Sequence, residues 1–219
     1  MQSQPVIRVA VQAIAVLLAI ALLATPASAE QSTAWGATTQ ARDASAVLAP
    51  GVYAHVGTSL GAFTIRLFEH EAPKTVENFI GLAEGSTDPA TGKPGRSRPY
   101  YDGLTFHRAV PGFMVQGGDP NGDGTGGPGY RVPDEIDPVR TFDKAGLVAM
   151  ASFGPNANGS QFFVTVAPYP RLPLKYTIFG EVVRGLDVVV SISRVKTDLR
   201  ARPITPVVIT SVRIDRVID

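Results

Sequence analysis

The sequence predicts a mainly β domain, a closed barrel or a sandwich, and three features carry that prediction. Short runs alternate apolar and polar residues with a period of two, turn-forming residues separate these runs, and one stretch switches clearly to a helical period. In AFTIRLF, Phe63, Ile65 and Leu67 share one face while Thr64 and Arg66 point the other way, as a half-buried strand requires. Similar runs recur at GLTFHRAV, GFMVQ, GLVAMA, QFFVTV, YTIFGEVV and PVVITSVRI. Between them stand Asp102-Gly103, Pro111-Gly112 and the GPNANGS stretch from Gly154 to Ser160, all turn chemistry.

The helical stretch is APKTVENFIGLAEG, Ala72 to Gly85. Val76, Phe79, Ile80 and Ala83 follow the i, i+3, i+4, i+7 spacing, Pro73 suits a first turn, and Gly85 can end the helix. RGLDVVVSISRV, Arg184 to Val195, is ambiguous: its β-branched residues favour a strand, and only Leu186, Val189 and Val190 suggest a helical stripe.

The N-terminus has the features of an export leader. Arg8 gives a positive start, residues 9–24 are apolar apart from Gln12, Pro26 breaks the run, and Ala27-Ser28-Ala29 supplies a small-x-small cleavage pattern. Residues 1–29 are therefore expected to be a signal peptide. The apolar run falls short of the ~20 residues of a spanning helix, so membrane contact is expected only through an uncleaved leader. Residues 30–50 are small, polar and aperiodic, except for Trp35, and read as a flexible linker. The working domain is residues 51–219, with a periplasmic or secreted location.

Composition narrows the chemistry. The 20 basic and 19 acidic residues leave a formal charge of +1, so no overall field draws nucleic acid or an anionic membrane. The chain has no cysteine, which removes thiol nucleophiles, disulfides and thiolate metal sites.

Three motif matches compete for the function. Gly57-Thr58-Ser59-Leu60-Gly61 fits a nucleophile elbow, with His107 and Asp102 as conceivable partners of Ser59 in a serine hydrolase. A strand pattern follows where a helix belongs, so a hairpin turn explains it better. Residues 124–129 fit G-x-G-x-x-G, but Pro128 and the following YRVPDE have no helical period to hold a pyrophosphate. Asp119-x-Asn121-x-Asp123-Gly124 begins like a calcium loop, yet Tyr130 stands at the twelfth position where a bidentate Glu belongs. Seven glycines among residues 117–129 suggest instead that backbone approaches something closely there.

The stretch FHRAVPGFMVQGGD, Phe106 to Asp119, sets Arg108 and Gln116 on either side of an apolar run. Strict alternation would send Phe113 and Val115 one way and Met114 and Gln116 the other, but the Pro-Gly turn and Gly117-Gly118 permit twisting that leaves the faces open. Taken alone, Phe113 and Met114 fit a core, and Arg108 and Gln116 fit a solvated surface.

FHRAVPGFMVQGGD, the glycine loop running into GGPGY, MASFGPNANGSQFF, the APKTVENF helix and YTIFGEV together resemble the cyclophilin-type peptidyl-prolyl cis-trans isomerases, in family order and spacing across nearly all of residues 51–219. The resemblance implies an eight-stranded antiparallel closed barrel capped by two helices, RGLDVVVSISRV being the second. It also implies a catalytic arginine at Arg108, a polar neighbour at Gln116, and a proline pocket of Phe113, Met114 and Phe163. Ala151 would meet the substrate backbone and Leu172 would edge the pocket. His107 precedes the arginine as in relatives and is counted with the substrate-binding set, its part mainly structural.

Three positions depart from the family pattern. Arg171 stands where many members carry a rim tryptophan, Tyr176 replaces a histidine, and Ser152 replaces an asparagine. The first implies weakened affinity for a cyclosporin-type ligand, and all three bear on peptide preference. The implied partners are proline-containing polypeptides, unfolded or partly folded exported proteins among them, met by a monomer with no cofactor and no metal. The alternative from a different class is a proline-peptide binding module or chaperone with little turnover.

Overall fold

The computed structural model describes residues 47–173 and 175–218; the expected leader, and the expected linker up to residue 46, lie outside them. Eight strands form one sheet: β1 Gly51–Thr58, β2 Gly61–Leu67, β3 Arg108–Val110, β4 Met114–Gly117, β5 Leu147–Ser152, β6 Asn158–Thr165, β7 Ile178–Arg184 and β8 Ile209–Val217. Two helices join them, α1 Pro73–Glu84 and α2 Leu186–Ser193. The strand order is β3-β4-β6-β5-β7-β2-β1-β8, and every ladder is antiparallel.

The sheet curls, but a ladder does not make the expected full closure. Of GLTFHRAV, only Arg108–Val110 forms strand. The residues before it meet the start of β8 through an isolated Thr105–Val208 bridge, with Phe106 N donating to Val207 O at 2.9 Å and Ile209 N to Leu104 O at 2.7 Å. The last seam is thus a few hydrogen bonds at one end. β1 lies outside the seven alternating runs because it also buries Tyr53 beside Ala54 and Val56, which blurs the period.

Inside the curl, Phe63, Ile65, Phe106, Phe162, Phe179 and Val212 pack with residues of both helices. Phe79 of α1 is central, with its ring 4.9 Å from Tyr101, 5.8 Å from Phe162 and 5.3 Å from Phe179. Fully burying one such side chain contributes about 1.5 to 3 kcal/mol, so this aromatic cluster dominates the core. The buried stripe of α1 includes Val76, Phe79, Leu82 and Ala83, while Ile80 is only half-buried. Pro73 opens α1, and Gly85 ends it with φ 71°, a left-handed cap suited to glycine.

RGLDVVVSISRV forms a helix, as the family resemblance implies. Gly185 turns the chain with φ 73°, and α2 then buries Val189 and Ile192 in the same core. Tertiary burial overrides the strand preference of the β-branched run.

Ala72 at the start of α1 offers no side-chain cap. Glu135, sixty residues onward, supplies one: its carboxylate accepts from Lys74 N at 3.1 Å and from Thr75 N and Oγ1 at 2.8 Å each. Replacing this partly buried carboxylate in Glu135→Ala is expected to lower stability by about 1 to 2 kcal/mol, read as a lower urea midpoint at unchanged slope.

His107 is 7 % exposed, and neither ring nitrogen has a hydrogen-bond partner. Burial holds its pKa below the ordinary 6.5; Asp119 and Asp123 oppose this, and Arg202 and Arg108 reinforce it. The neutral ring belongs to the folded state, so as pH falls below about 6.5 the unfolded chain takes up the proton first. Stability is therefore expected to decline on acidification from that point, down to the folded-state value. His107→Leu should flatten that part of the curve in urea unfolding measured from pH 7 to 5.

Candidate active site

The hairpin of β3 and β4 builds the site's polar edge. Pro111 and Gly112 turn the chain, Gly112 with φ 71°, and Phe113 N donates to Val110 O at 3.1 Å. The register then sets Arg108 opposite Gln116, Gln116 opposite Phe163 on β6, and Phe163 opposite Ala149 on β5. One row across four strands therefore carries a guanidinium, an amide and an aromatic ring.

The faces that the sequence left open are now decided. Val115, Phe162, Val164, Val148 and Met150 enter the core inside the curl. Met114, Phe163, Ala149 and Leu147 belong to a second apolar cluster with Phe142, Phe68 and Ile178. Phe113 packs against that second cluster too, although alternation would set it with Val115. It lies in the turn before β4, where the period of two does not apply.

A cavity of about 160 Å³ opens over this second cluster, lined by Arg108, Gln116, Phe113, Met114 and Phe163. Ala151, Ser152, Leu172 and Tyr176 complete the lining. The volume lies well below the ~300 to 1,000 Å³ of a drug-sized pocket and suits one side chain or ring. Met114 is 2 % and Phe163 6 % exposed, so the floor is dry, whereas Arg108 is exposed at the rim. Phe142 stacks on Phe163 at 5.6 Å and Tyr176 meets it edge-on at 5.4 Å, which locks the floor ring. Ser152 sits at a register shift between β5 and β6, its hydroxyl donating to Gly154 O at 2.5 Å.

Nine of the ten residues singled out from the sequence meet at this cavity. His107 does not: the two-residue period turns it away from its neighbour Arg108, and it is buried near the glycine loop, where a Cβ on Gly124 would lie 3.9 Å from its Nε2. Arg171 is exposed and absent from the lining. Sequence reasoning missed Tyr169, whose ring lies 4.6 Å from that of Phe113, and Phe142 beneath Phe163. It also missed Gln161, which accepts from Gln116 Nε2 at 3.0 Å. A signal for Gln161 existed: it stands two residues before Phe163 on one strand, hence on the same face.

The competing motifs resolve differently. Ser59 lies in the β1–β2 turn and its hydroxyl accepts from Val208 N at 3.1 Å, while Asp102 accepts from Val212 N at 3.2 Å. Neither bonds to His107, so no triad forms. The 124–129 glycines open no helix. Asp119 turns its carboxylate to backbone, accepting from Asn121 N, Asp123 N and Gly124 N at 2.9, 3.0 and 2.5 Å, which makes it the loop's own anchor.

The family model for cyclophilin type peptidyl-prolyl cis-trans isomerase/CLD matches residues 53–214. A peptidyl-prolyl cis-trans isomerase A of Mycobacterium tuberculosis is 52 % identical over 161 residues, covering 72 % of this chain and 88 % of that protein. Isomerase B of Streptomyces anulatus is 48 % identical over 174 residues, covering 77 % and 99 %. A crystal structure of a Cryptosporidium parvum cyclophilin type isomerase, obtained in the presence of the dipeptide Ala-Pro, superposes with a TM-score of 0.67 at 32 % identity, covering 75 % of this chain and 99 % of that one. With a matching fold and a ring-sized apolar cavity edged by one arginine, the chain belongs to the cyclophilin-type peptidyl-prolyl cis-trans isomerases.

Proposed function

We propose that this isomerase turns X-Pro bonds in exported, unfolded or partly folded polypeptides, with Arg108 as the catalytic residue and the adjoining cavity as the proline site. The observation that carries the assignment is the single cavity lined by Arg108 on one side and by Phe113, Met114 and Phe163 on the other.

Rotation about an X-Pro bond is opposed by ~18 to 20 kcal/mol because the C–N bond has partial double-bond character. Unaided, it takes ~10 to 100 s. No bond is made or broken, so what helps is loss of amide resonance. In the twisted state the proline nitrogen pyramidalises and regains a lone pair, which a guanidinium N–H can stabilise. Arginine suits this because it stays charged and presents fixed donors. Phe113, Met114 and Phe163 would grip the pyrrolidine ring and exclude water, favouring the less charge-separated twisted form. Gln116 would share in holding the substrate carbonyl with Arg108. Ala151, Ser152, Leu172 and Tyr176 would shape peptide preference along the rim, and His107 would act only through structure.

The other readings rest on sequence. The apolar run and the Ala27-Ser28-Ala29 pattern support export to the periplasm or beyond the cell, with cleavage after Ala29. That one chain supplies both Arg108 and the apolar lining of the cavity supports function as a monomer. Arg171 in place of a rim tryptophan supports weak binding of a cyclosporin-type ligand.

Arg108 is exposed, so Arg108→Ala should fold normally. It should lower kcat/KM for a proline peptide about 10- to 150-fold, the equivalent of one charged hydrogen bond, and slow proline-limited refolding to match. Arg108→Lys should fall between the two, keeping the charge without the fork. An alanine variant as active as the parent would remove Arg108 from catalysis. N-terminal sequencing of exported protein is expected to begin at Glu30; material starting at Met1 would contradict cleavage.

A further inference from the structure

We infer that Tyr169 is a specificity-determining residue for the isomerase reaction: its ring extends the aromatic surface of Phe113 outward and selects substrates with an aromatic side chain next to the proline. This deepens the assignment of the Arg108 cavity and rests on it.

Aromatic rings are large apolar surfaces, and this fold covers nearly all of them. Among the described residues only two aromatic side chains are exposed, Phe153 at 59 % and Tyr169 at 44 %. Phe153 has the Arg131 guanidinium over its ring, 5.8 Å from the centroid. Tyr169 instead packs on Phe113, with ring centroids 4.6 Å apart and planes tilted by 44°. Phe113 lines the cavity and Tyr169 does not, so the two rings make one surface that starts in the proline site and ends outside it.

The local sequence fixes this ring in its exposed place. Tyr169 stands between Pro168 and Pro170. A proline sets its own φ and drives the residue before it to extended backbone, so both Ala167 and Tyr169 lose the helical alternative. Three backbone bonds then tie the segment to the site: Val166 N donates to Phe113 O at 2.9 Å, Tyr169 N to Phe142 O at 2.7 Å, and Leu172 N to Tyr169 O at 2.9 Å. A ring carried on so restricted a backbone has little freedom left to lose when a ligand covers it.

Strand register decides which part of a substrate reaches it. Along β6, Thr165 faces Met114, and Val166 beyond it meets Phe113. In the other direction Phe163 faces Ala149 and Phe162 faces Met150, with Ala151 and Ser152 further on. Phe113 and Ala151 therefore mark opposite ends of the cavity. An extended peptide advances about 3.3 Å per residue. With the proline ring in the cavity, the neighbour on one side lies over Phe113 and Tyr169, and the neighbour on the other lies over Ala151 and Ser152. A phenyl side chain on the first side meets two rings, and offset or tilted ring pairs are favourable beyond the area they bury.

The test measures kcat/KM for three acylated tetrapeptide amides, Ala-Ala-Pro-Ala, Ala-Phe-Pro-Ala and Ala-Ala-Pro-Phe. The parent should favour one of the two Phe peptides over the first by about 3- to 10-fold, mainly through KM. Tyr169→Ala should abolish that preference and leave the ratio for the other Phe peptide as it was. Tyr169→Phe should keep the preference, because the ring and not the hydroxyl makes the surface. If Tyr169→Ala slows all three peptides alike, the residue merely supports Phe113 and the inference is overturned; equal loss for both Phe peptides overturns it as well. Arg108→Ala separates the underlying assignment: undiminished turnover of Ala-Ala-Pro-Ala would remove the cavity, whatever Tyr169 does. NMR of the unmodified protein needs no variant to fold. Nuclear Overhauser contacts are expected between the Tyr169 ring and the phenyl ring of the favoured peptide, and their absence would refute the contact.

Discussion

The two-residue period of β4, β5 and β6 is the constraint on which the rest of this molecule depends. One set of side chains, including Val115, Val148, Met150, Phe162 and Val164, fills the core inside the curl. The alternate set, Met114, Ala149 and Phe163, faces outward into a second cluster that includes Phe142 and Ile178. A slip of one residue would exchange the sets, burying Gln116 and exposing Phe162. With each large apolar side chain worth about 1.5 to 3 kcal/mol on burial, the register is held by the core, and the site inherits its precision from that.

Because the cavity lies on the outer face, its floor needs a support that the barrel interior does not supply. Phe142, Tyr176 and the segment that joins β4 to β5 provide it, packing on Phe163 from the side away from the core. The glycine loop in that same segment would be expected to wander if judged by composition alone. Asp119 instead gathers its amides, and Gln161 binds its carbonyls. A loop rich in glycine is here tied down by hydrogen bonds, and its backbone packs closely where side chains are missing.

Isomerisation asks little covalent chemistry of a protein, and the site's composition matches that. An acceleration of five orders of magnitude corresponds to about 7 kcal/mol of transition-state stabilisation. One charged hydrogen bond supplies ~1.5 to 3 kcal/mol of it, which leaves the larger part to ring placement, water exclusion and backbone contacts. On the proposed assignment, the small dry floor beneath an exposed arginine would divide the work in that way, the apolar side holding the ring and the polar row meeting the nitrogen and the carbonyl.

Much of this was legible from the residues. Period-two runs located seven of the eight strands, Pro73 and Gly85 bounded α1, and the family resemblance named nine residues that line one cavity. The elements were readable because alternation, turn residues and caps are local properties of chain geometry; the cavity residues came from the resemblance. Local pattern alone left other features open. Whether Phe113 joins the cavity or the core depends on a turn that ends the alternation, and the helical state of RGLDVVVSISRV depends on burial of Val189 and Ile192 against distant strands. Glu135 capping α1 from sixty residues away and Phe142 beneath Phe163 leave no local pattern at all, and the strand period places Gln161 on the face of Phe163 without showing that it meets Gln116. Such contacts exist only once a curled sheet has brought separate segments together, since a hydrogen bond or a ring contact depends on distance in space and not on separation along the chain.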